Sequence, residues 1–223
     1  MKVALLVSSL CFAMLMGCAT TATSPDEYSG FLGDYSRLKK DKSSSDVEVM
    51  RWIDPNLKLS KFTSIYIEPS QLYPKPKPTS RIPQSTLTGI TSYYDKALKT
   101  QLGRSLPLAS SRGPGTLVVR PAITAVSSKM ESFQPYEILP IALVAGAVNV
   151  AAGGRDQETS IATEVAFIDS NTNKVVAQVV RKGSGENLEN DQVVMTPMDA
   201  KALLDGWATD VNQEFIKLKA GDN

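Results

Sequence analysis

Apolar and polar positions fall in blocks of different period along this 223-residue chain. Residues 3–16 form an almost unbroken apolar run behind one cation, Lys2, and the run closes on Leu15-Met16-Gly17-Cys18. Residues 19–45 are rich in Ser, Thr, Asp and Lys. A stretch such as Lys39-Lys40-Asp41-Lys42-Ser43-Ser44-Ser45-Asp46 has too little apolar surface to offset its ordering entropy and is read as irregular. Within it Phe31, Leu32, Tyr35 and Leu38 recur at i, i+1, i+4 and i+7. They fit either one face of a short amphipathic turn docked on the domain or hydrophobes in a loose linker. Beyond residue 46 the pattern becomes that of a folded domain. Residues 62–68 alternate β-branched and aromatic side chains and stop at Pro69, which predicts a strand. Pro74, Pro76, Pro78 and Pro83 then predict a stiff, extended loop.

Leu87, Ile90, Tyr94, Ala97, Leu98, Gln101 and Leu102 return at helical spacing behind Ser85 or Thr86 as a cap. Residues 117–126 predict a strand in which Pro121, lacking an N–H, marks an edge or a bulge. Residues 161–168 and 174–180 flank Asp169-Ser170-Asn171-Thr172-Asn173 and predict a hairpin. Gly183-Ser184-Gly185 is read as a polar loop. Thr196-Pro197 starts a last helix, with Asp199 near the positive end of its dipole. Its stripe is Ala200, Leu203, Leu204, Trp207, Val211, Phe215 and Leu218. The expected fold is α+β, a mostly antiparallel sheet of three to five strands packed by two long helices.

The first block carries the clearest message. A cationic start, a short apolar core and a small residue before the cut describe an export signal, and about fourteen apolar residues fall short of the roughly twenty a membrane helix needs. Leu15-Met16-Gly17-Cys18 resembles a bacterial lipobox, which implies cleavage before Cys18 and lipidation of Cys18. The alternative is an ordinary signal peptide cut after Ala19 or Ala22. The expected organisation is a signal peptide over 1–17, a lipidated flexible tether over 18–45 and one periplasmic domain over 46–223. Ala19, in place of the aspartate that commonly retains lipoproteins in the inner membrane, implies the outer membrane by the same resemblance.

Composition narrows the chemistry. With Lys2 lost in the leader, the 24 basic residues become 23 and equal the 23 acidic ones. Such a chain has no electrostatic footprint for nucleic acid. Its two cysteines are Cys11 and Cys18, so the mature domain has no disulfide, and it has no histidine, the commonest general base and metal ligand. No phosphate-binding loop, nucleophile elbow, dinucleotide fingerprint or metal motif is present; no cofactor or metal is expected.

Two features remain as candidates. Residues 138–152 hold no charge and are rich in Gly and Ala; a buried helical loop, an exposed patch for self-association or a partner, and membrane insertion are the competing readings. Arg155, Asp156, Glu158 and Glu164 gather before and within a predicted strand, and even spacing puts Glu158 and Glu164 on one face. They suggest a small polar site, either a carboxylate pair for acid–base work or an arginine for an anion, against the plainer reading in which Arg155 and Asp156 satisfy a loop.

Phe31-Leu32-Gly33-Asp34-Tyr35-Ser36-Arg37-Leu38, then Trp52-Ile53-Asp54-Pro55 and Leu59-Ser60-Lys61-Phe62, resemble the opening of an uncharacterised Gram-negative lipoprotein family, domain of unknown function 3313. Gly154-Arg155-Asp156-Gln157-Glu158-Thr159-Ser160, Glu164 and Asp169-Ser170-Asn171-Thr172 continue the likeness in order. Phe62 stands where tyrosine is expected and Asn173 where a turn glycine is usual. The resemblance implies an envelope lipoprotein of no established activity. The expectation is a non-enzymatic module that binds another envelope protein or itself. A carboxylate-based envelope hydrolase and a subunit of an oligomeric outer-membrane pore are the alternatives.

Overall fold

A computed structural model describes residues 23–129, 157–190 and 192–221. The leader, Cys18, the run 138–152, Arg155 and Asp156 lie outside the described residues.

The fold is α+β, with one seven-stranded sheet and two long helices among the described residues. The strands are β1 (Lys39–Lys42), β2 (Glu48–Ile53), β3 (Ser64–Ile67), β4 (Gln71–Leu72), β5 (Thr116–Lys129), β6 (Glu158–Asp169) and β7 (Lys174–Ser184). The helices are α1 (Gln84–Leu102) and α2 (Lys201–Ala220). Spatial order is β1-β2-β7-β6-β5-β3, with β4 also on β5.

The expected sheet of three to five strands is corrected in number, and its mostly antiparallel pairing, seen at β1–β2, β2–β7, β5–β6 and β6–β7, gains a parallel part. The sheet is mixed, because β3 and β4 run parallel to β5. A parallel neighbour needs a long crossover, and residues 73–115 with α1 supply it. The strand count rises because two strands carry no apolar pattern. β4 has two residues, and β1 reads Lys-Lys-Asp-Lys with every side chain exposed. β1 is held by its antiparallel ladder to β2 and by ion pairs across it, Lys40–Glu48 at 2.6 Å and Arg51–Asp41 at 2.5 Å. Residues 39–42 are therefore strand, not irregular, and exposed lysines suit an outer strand by discouraging further pairing.

Pro121 does not mark an edge: β5 is interior, between β6 and the β3/β4 pair. Ile67 pairs with Val119 and Gln71 with Ala122, so Pro121 faces the break between β3 and β4, where no acceptor waits for an N–H. The bulge falls three residues on, where the β5–β6 register skips Thr124.

α1 and α2 cover one face with an apolar core. Leu87, Ile90, Tyr94, Leu98 and Leu102 meet Leu203, Leu204, Trp207 and Phe215 above Ile65, Leu117, Val119, Ile123, Ile161 and Val165. The expected cap of α1 is different: Pro83 holds the N-cap position, and the Thr86 hydroxyl instead donates to Met195 O at 2.6 Å. The start of the last helix is a 3₁₀ turn over Pro197–Ala200, where the Asp199 carboxylate accepts the Thr196 N–H at 2.7 Å. Gly183 and Ser184 belong to β7, and Gly185 follows with its N–H on Thr159 O at 3.1 Å. A side chain at Gly185 would collide with the Asp199 backbone, so this glycine lets the sheet's end meet the start of the last helix.

Candidate functional site

The opposite face of the sheet is covered by the chain's own N-terminal segment, residues 23–38. A short 3₁₀ helix over Pro25–Glu27 and then turns run through it. Gly33, at φ 74°, takes a conformation that disfavours any residue with a Cβ. The hydrophobes of the segment do dock. Leu32 packs on Val118, Ala166 and Ile168 with Tyr66 and Val175, Phe31 meets Tyr73 at 5.6 Å, and Leu38 is buried. Residues 23–45, the described part of the span 18–45 read as a tether, thus make specific contacts, and for Phe31, Leu32 and Leu38 the docked alternative is the one seen. Composition misjudged them because the segment is held largely by polar groups.

Glu164 is the centre of this strap. It is fully buried in β6, and its carboxylate accepts the Ser29 N–H at 2.8 Å and the Tyr35 hydroxyl at 2.6 Å. The Tyr35 oxygen in turn accepts the N–H groups of Gly30 at 2.8 Å and Leu32 at 3.2 Å. One phenol therefore closes the turn and ties it to the sheet. The Tyr28 ring stacks on Tyr35 with centroids 4.4 Å apart. Burial, then the hydrogen bond and charge of Glu164, push the Tyr35 phenol well above its ordinary value. Further anchors lie on either side. Lys182 pairs with Glu27, Gln178 Nε2 donates to Asp34 O at 3.0 Å, and the Arg37 guanidinium lies 3.7 Å from the centroid of the Trp52 ring.

Of the residues expected to form a polar site, Glu158 and Glu164 lie within the description. They share a face of β6, but they lie six positions apart, roughly 20 Å at about 3.3 Å per residue. Glu158 is exposed and accepts from the Ser184 hydroxyl, while Glu164 is sealed under the strap. The two do not flank a common cleft, whereas glycosidase carboxylates stand roughly 5 to 10 Å apart. Sequence reasoning missed Ser29 and Tyr35 as partners of Glu164. The available sign was Tyr35 itself, an aromatic with a polar tip in an otherwise polar stretch.

A second feature lies on the helical face. An apolar cleft with a cavity of about 60 Å³ opens between α2 and the β2–β7 side of the sheet, lined by Leu59, Phe167, Val179, Val211 and Phe215. The cations at its rim are already paired: Arg51 with Asp41 and with Glu214 at 2.9 Å, and Arg181 with Asp210 at 2.7 Å. Asp210 also accepts the N–H and hydroxyl of Ser45, each at 3.0 Å. Burial raises the Asp210 carboxyl, but the Arg181 hydrogen bond and charge, with Ser43 and Ser45, outweigh it and hold it below the usual range. Among the described residues no group of three or more acidic side chains is placed to hold a metal ion.

The chain is 40% identical over 214 residues to the uncharacterised lipoprotein YdcL of Escherichia coli K12, an alignment covering 96% of each protein. Among solved structures, two that resemble it do so distantly. PelC of Paraburkholderia phytofirmans, in a dodecamer, aligns at 13% identity over 74% of this chain and 95% of that one, with a TM-score of 0.40. A homologue of neuraminyllactose-binding hemagglutinin from Helicobacter pylori aligns at 12% identity over 72% and 84%, with a TM-score of 0.36. The model of the family described as protein of unknown function DUF3313 matches residues 27–211, from Glu27 of the strap to Val211 of α2, and the chain belongs to that family.

Proposed function

We propose that this protein is a non-enzymatic lipoprotein of the Gram-negative outer membrane, anchored by acyl chains on Cys18, whose periplasmic domain binds another envelope protein or a second copy of itself. The observation that carries the reading is the run from Lys2 through Leu15-Met16-Gly17-Cys18 in a chain so similar to a lipoprotein along its length. No helix among the described residues is long and apolar enough to cross a membrane, so attachment through Cys18 supplies what the folded part does not. One acyl chain binds a bilayer marginally, and additional chains make anchoring stable.

The anchor is tested by Cys18→Ala in cells fed a clickable palmitate analogue. The unaltered protein is expected to take the label and to sediment with outer membranes. The variant is expected to lose the label and leave the membrane pellet while its circular dichroism matches that of the soluble domain. A variant that still sediments with membranes overturns the anchor. The binding role is tested by crosslinking in intact cells. One dominant envelope partner, or a ladder of self-crosslinked species, is expected; recovery of uncrosslinked protein alone overturns that role.

A further inference from the structure

We infer that the domain stands on the lipid surface with one defined end down: the end of the sheet around Glu158, Ser184 and Glu186 faces the headgroups, and the β6–β7 turn at Asn171 and Thr172 faces away. The inference rests on the anchor reading and gives it a geometry.

The first observation is the length of chain between anchor and fold. Thr23 is already buried, 3% exposed, and Ser24 donates its N–H to the Glu27 carboxylate at 2.9 Å. From Cys18 to Thr23 there are five peptide steps. Fully extended, they span about 18 Å at most, taking roughly 3.6 Å per residue. β6 alone, from Glu158 to Asp169, is about 36 Å long at 3.3 Å per residue. The linker is therefore about half as long as the sheet is tall, and an anchored domain cannot turn freely above the bilayer.

The second observation is the path of the strap. Leu32 sits at the level of Ile168 and Val175, Asp34 at Gln178, Ser29 at Glu164, and Glu27 at Lys182. Glu164 pairs with Val180 and Ala162 with Lys182, so from Leu32 back to Glu27 the contacts climb β6 and β7 toward Ser160 and Ser184. The chain thus leaves the fold in the direction of that end.

The test uses the full lipidated protein. Because Cys18 is acylated, one new cysteine gives a single labelling site. Glu186→Cys, Thr172→Cys and Lys219→Cys, all at exposed positions, are each labelled with a fluorophore. Each is reconstituted into phosphatidylethanolamine/phosphatidylglycerol vesicles containing a headgroup nitroxide lipid. Quenching at 186 is expected to be several-fold stronger than at 172 or 219. Inserting twenty Gly/Ser residues between Ala22 and Thr23 should erase the difference while flotation with vesicles persists. Equal quenching at the three sites, or stronger quenching at 172, in protein that floats overturns the orientation and leaves the anchor standing. Protein that does not float overturns both.

Discussion

The two faces of the sheet are covered by different material. α1 and α2 bring Leu, Ile, Tyr, Trp and Phe onto one face, where burial of apolar area stabilises at about 25 cal/mol per Å². The strap brings Leu32 onto a small cluster, with Phe31 on Tyr73 and Arg37 on Trp52 beside it, and depends largely on hydrogen bonds to a buried carboxylate, a glutamine and a lysine. Hydrogen bonds yield about 1 kcal/mol net when made and cost more when one partner is orphaned. The helical face should therefore fail globally and the strap face locally. The clearest exception on the helical face is its buried ion pair, Arg181 with Asp210, 7% and 5% exposed.

Arg181→Ala is expected to produce the largest effect, about 3–5 kcal/mol in urea unfolding, because it leaves Asp210 charged and buried. Replacing both partners, Arg181→Met with Asp210→Leu, should recover most of that loss. If the double variant is as unstable as the single, the burden lies in packing and not in the orphaned charge. The pair also sets an acid limit. The folded value of Asp210 is held below its ordinary 3.8, so its contribution is complete above that value and is lost as pH falls through the folded one. Acid unfolding below about pH 4 should be less steep in the double variant.

Leu204→Ala, at a fully buried position of α2, should cost about 2–5 kcal/mol, whereas Leu32→Ala in the half-buried strap should cost about 1 kcal/mol. Equal losses would erase the contrast between the faces. Thermal melts of the two variants decide it.

This contrast explains what the sequence made legible. α1, α2, β3 and the β6–β7 hairpin are apolar on a regular period because their partner surface is apolar, and the pattern reports that directly. β1 was invisible because an outer strand with both faces wet needs no apolar residue, only a partner ladder. The parallel pairing of β3 with β5 was also hidden, since side-chain period does not encode direction. The strap was half legible. The spacing of Phe31, Leu32, Tyr35 and Leu38 suggested docking, but the turns that dock them close on the Tyr35 hydroxyl. That bond joins residues 129 apart, and no local pattern shows it. Glu164 carried a related ambiguity: the same carboxylate in the same strand is a site when open to a cleft and a fastening when sealed under a strap.

Tyr35→Phe tests the fastening at smaller scale. The ring and its stacking on Tyr28 remain, but Glu164 loses one donor and the N–H groups of Gly30 and Leu32 lose their acceptor. The expected cost is about 1–3 kcal/mol. It should appear as faster hydrogen exchange and proteolysis in residues 23–38, with little change in α1 or α2. Alkali should have the same effect on the unaltered protein. The Tyr35 value is raised, so its contribution is complete below the ordinary 10.0 and is lost as pH rises above it toward the folded value. Strap exchange should accelerate above pH 10 in the unaltered protein and lose that extra pH dependence in Tyr35→Phe. Uniform acceleration across both faces would show that the strap and the helical core open as one unit.

The smallest effect is expected at the outer strand. Lys42 pairs with Asp46 at 2.7 Å, but the two side chains are 61% and 79% exposed, where an ion pair contributes roughly 0–1 kcal/mol and salt screens it. Lys42→Ala should change stability by less than about 0.5 kcal/mol, and less still in high salt. Aggregation is the more telling readout for this residue. β1 is the outermost strand of the sheet among the described residues, and exposed lysines keep such edges from recruiting strands. Lys39, Lys40 and Lys42 replaced together by Val or Thr should leave the melting temperature nearly unchanged yet promote self-association, visible by light scattering in the soluble domain. A triple variant that stays monomeric would show that the shortness of β1 alone protects the edge.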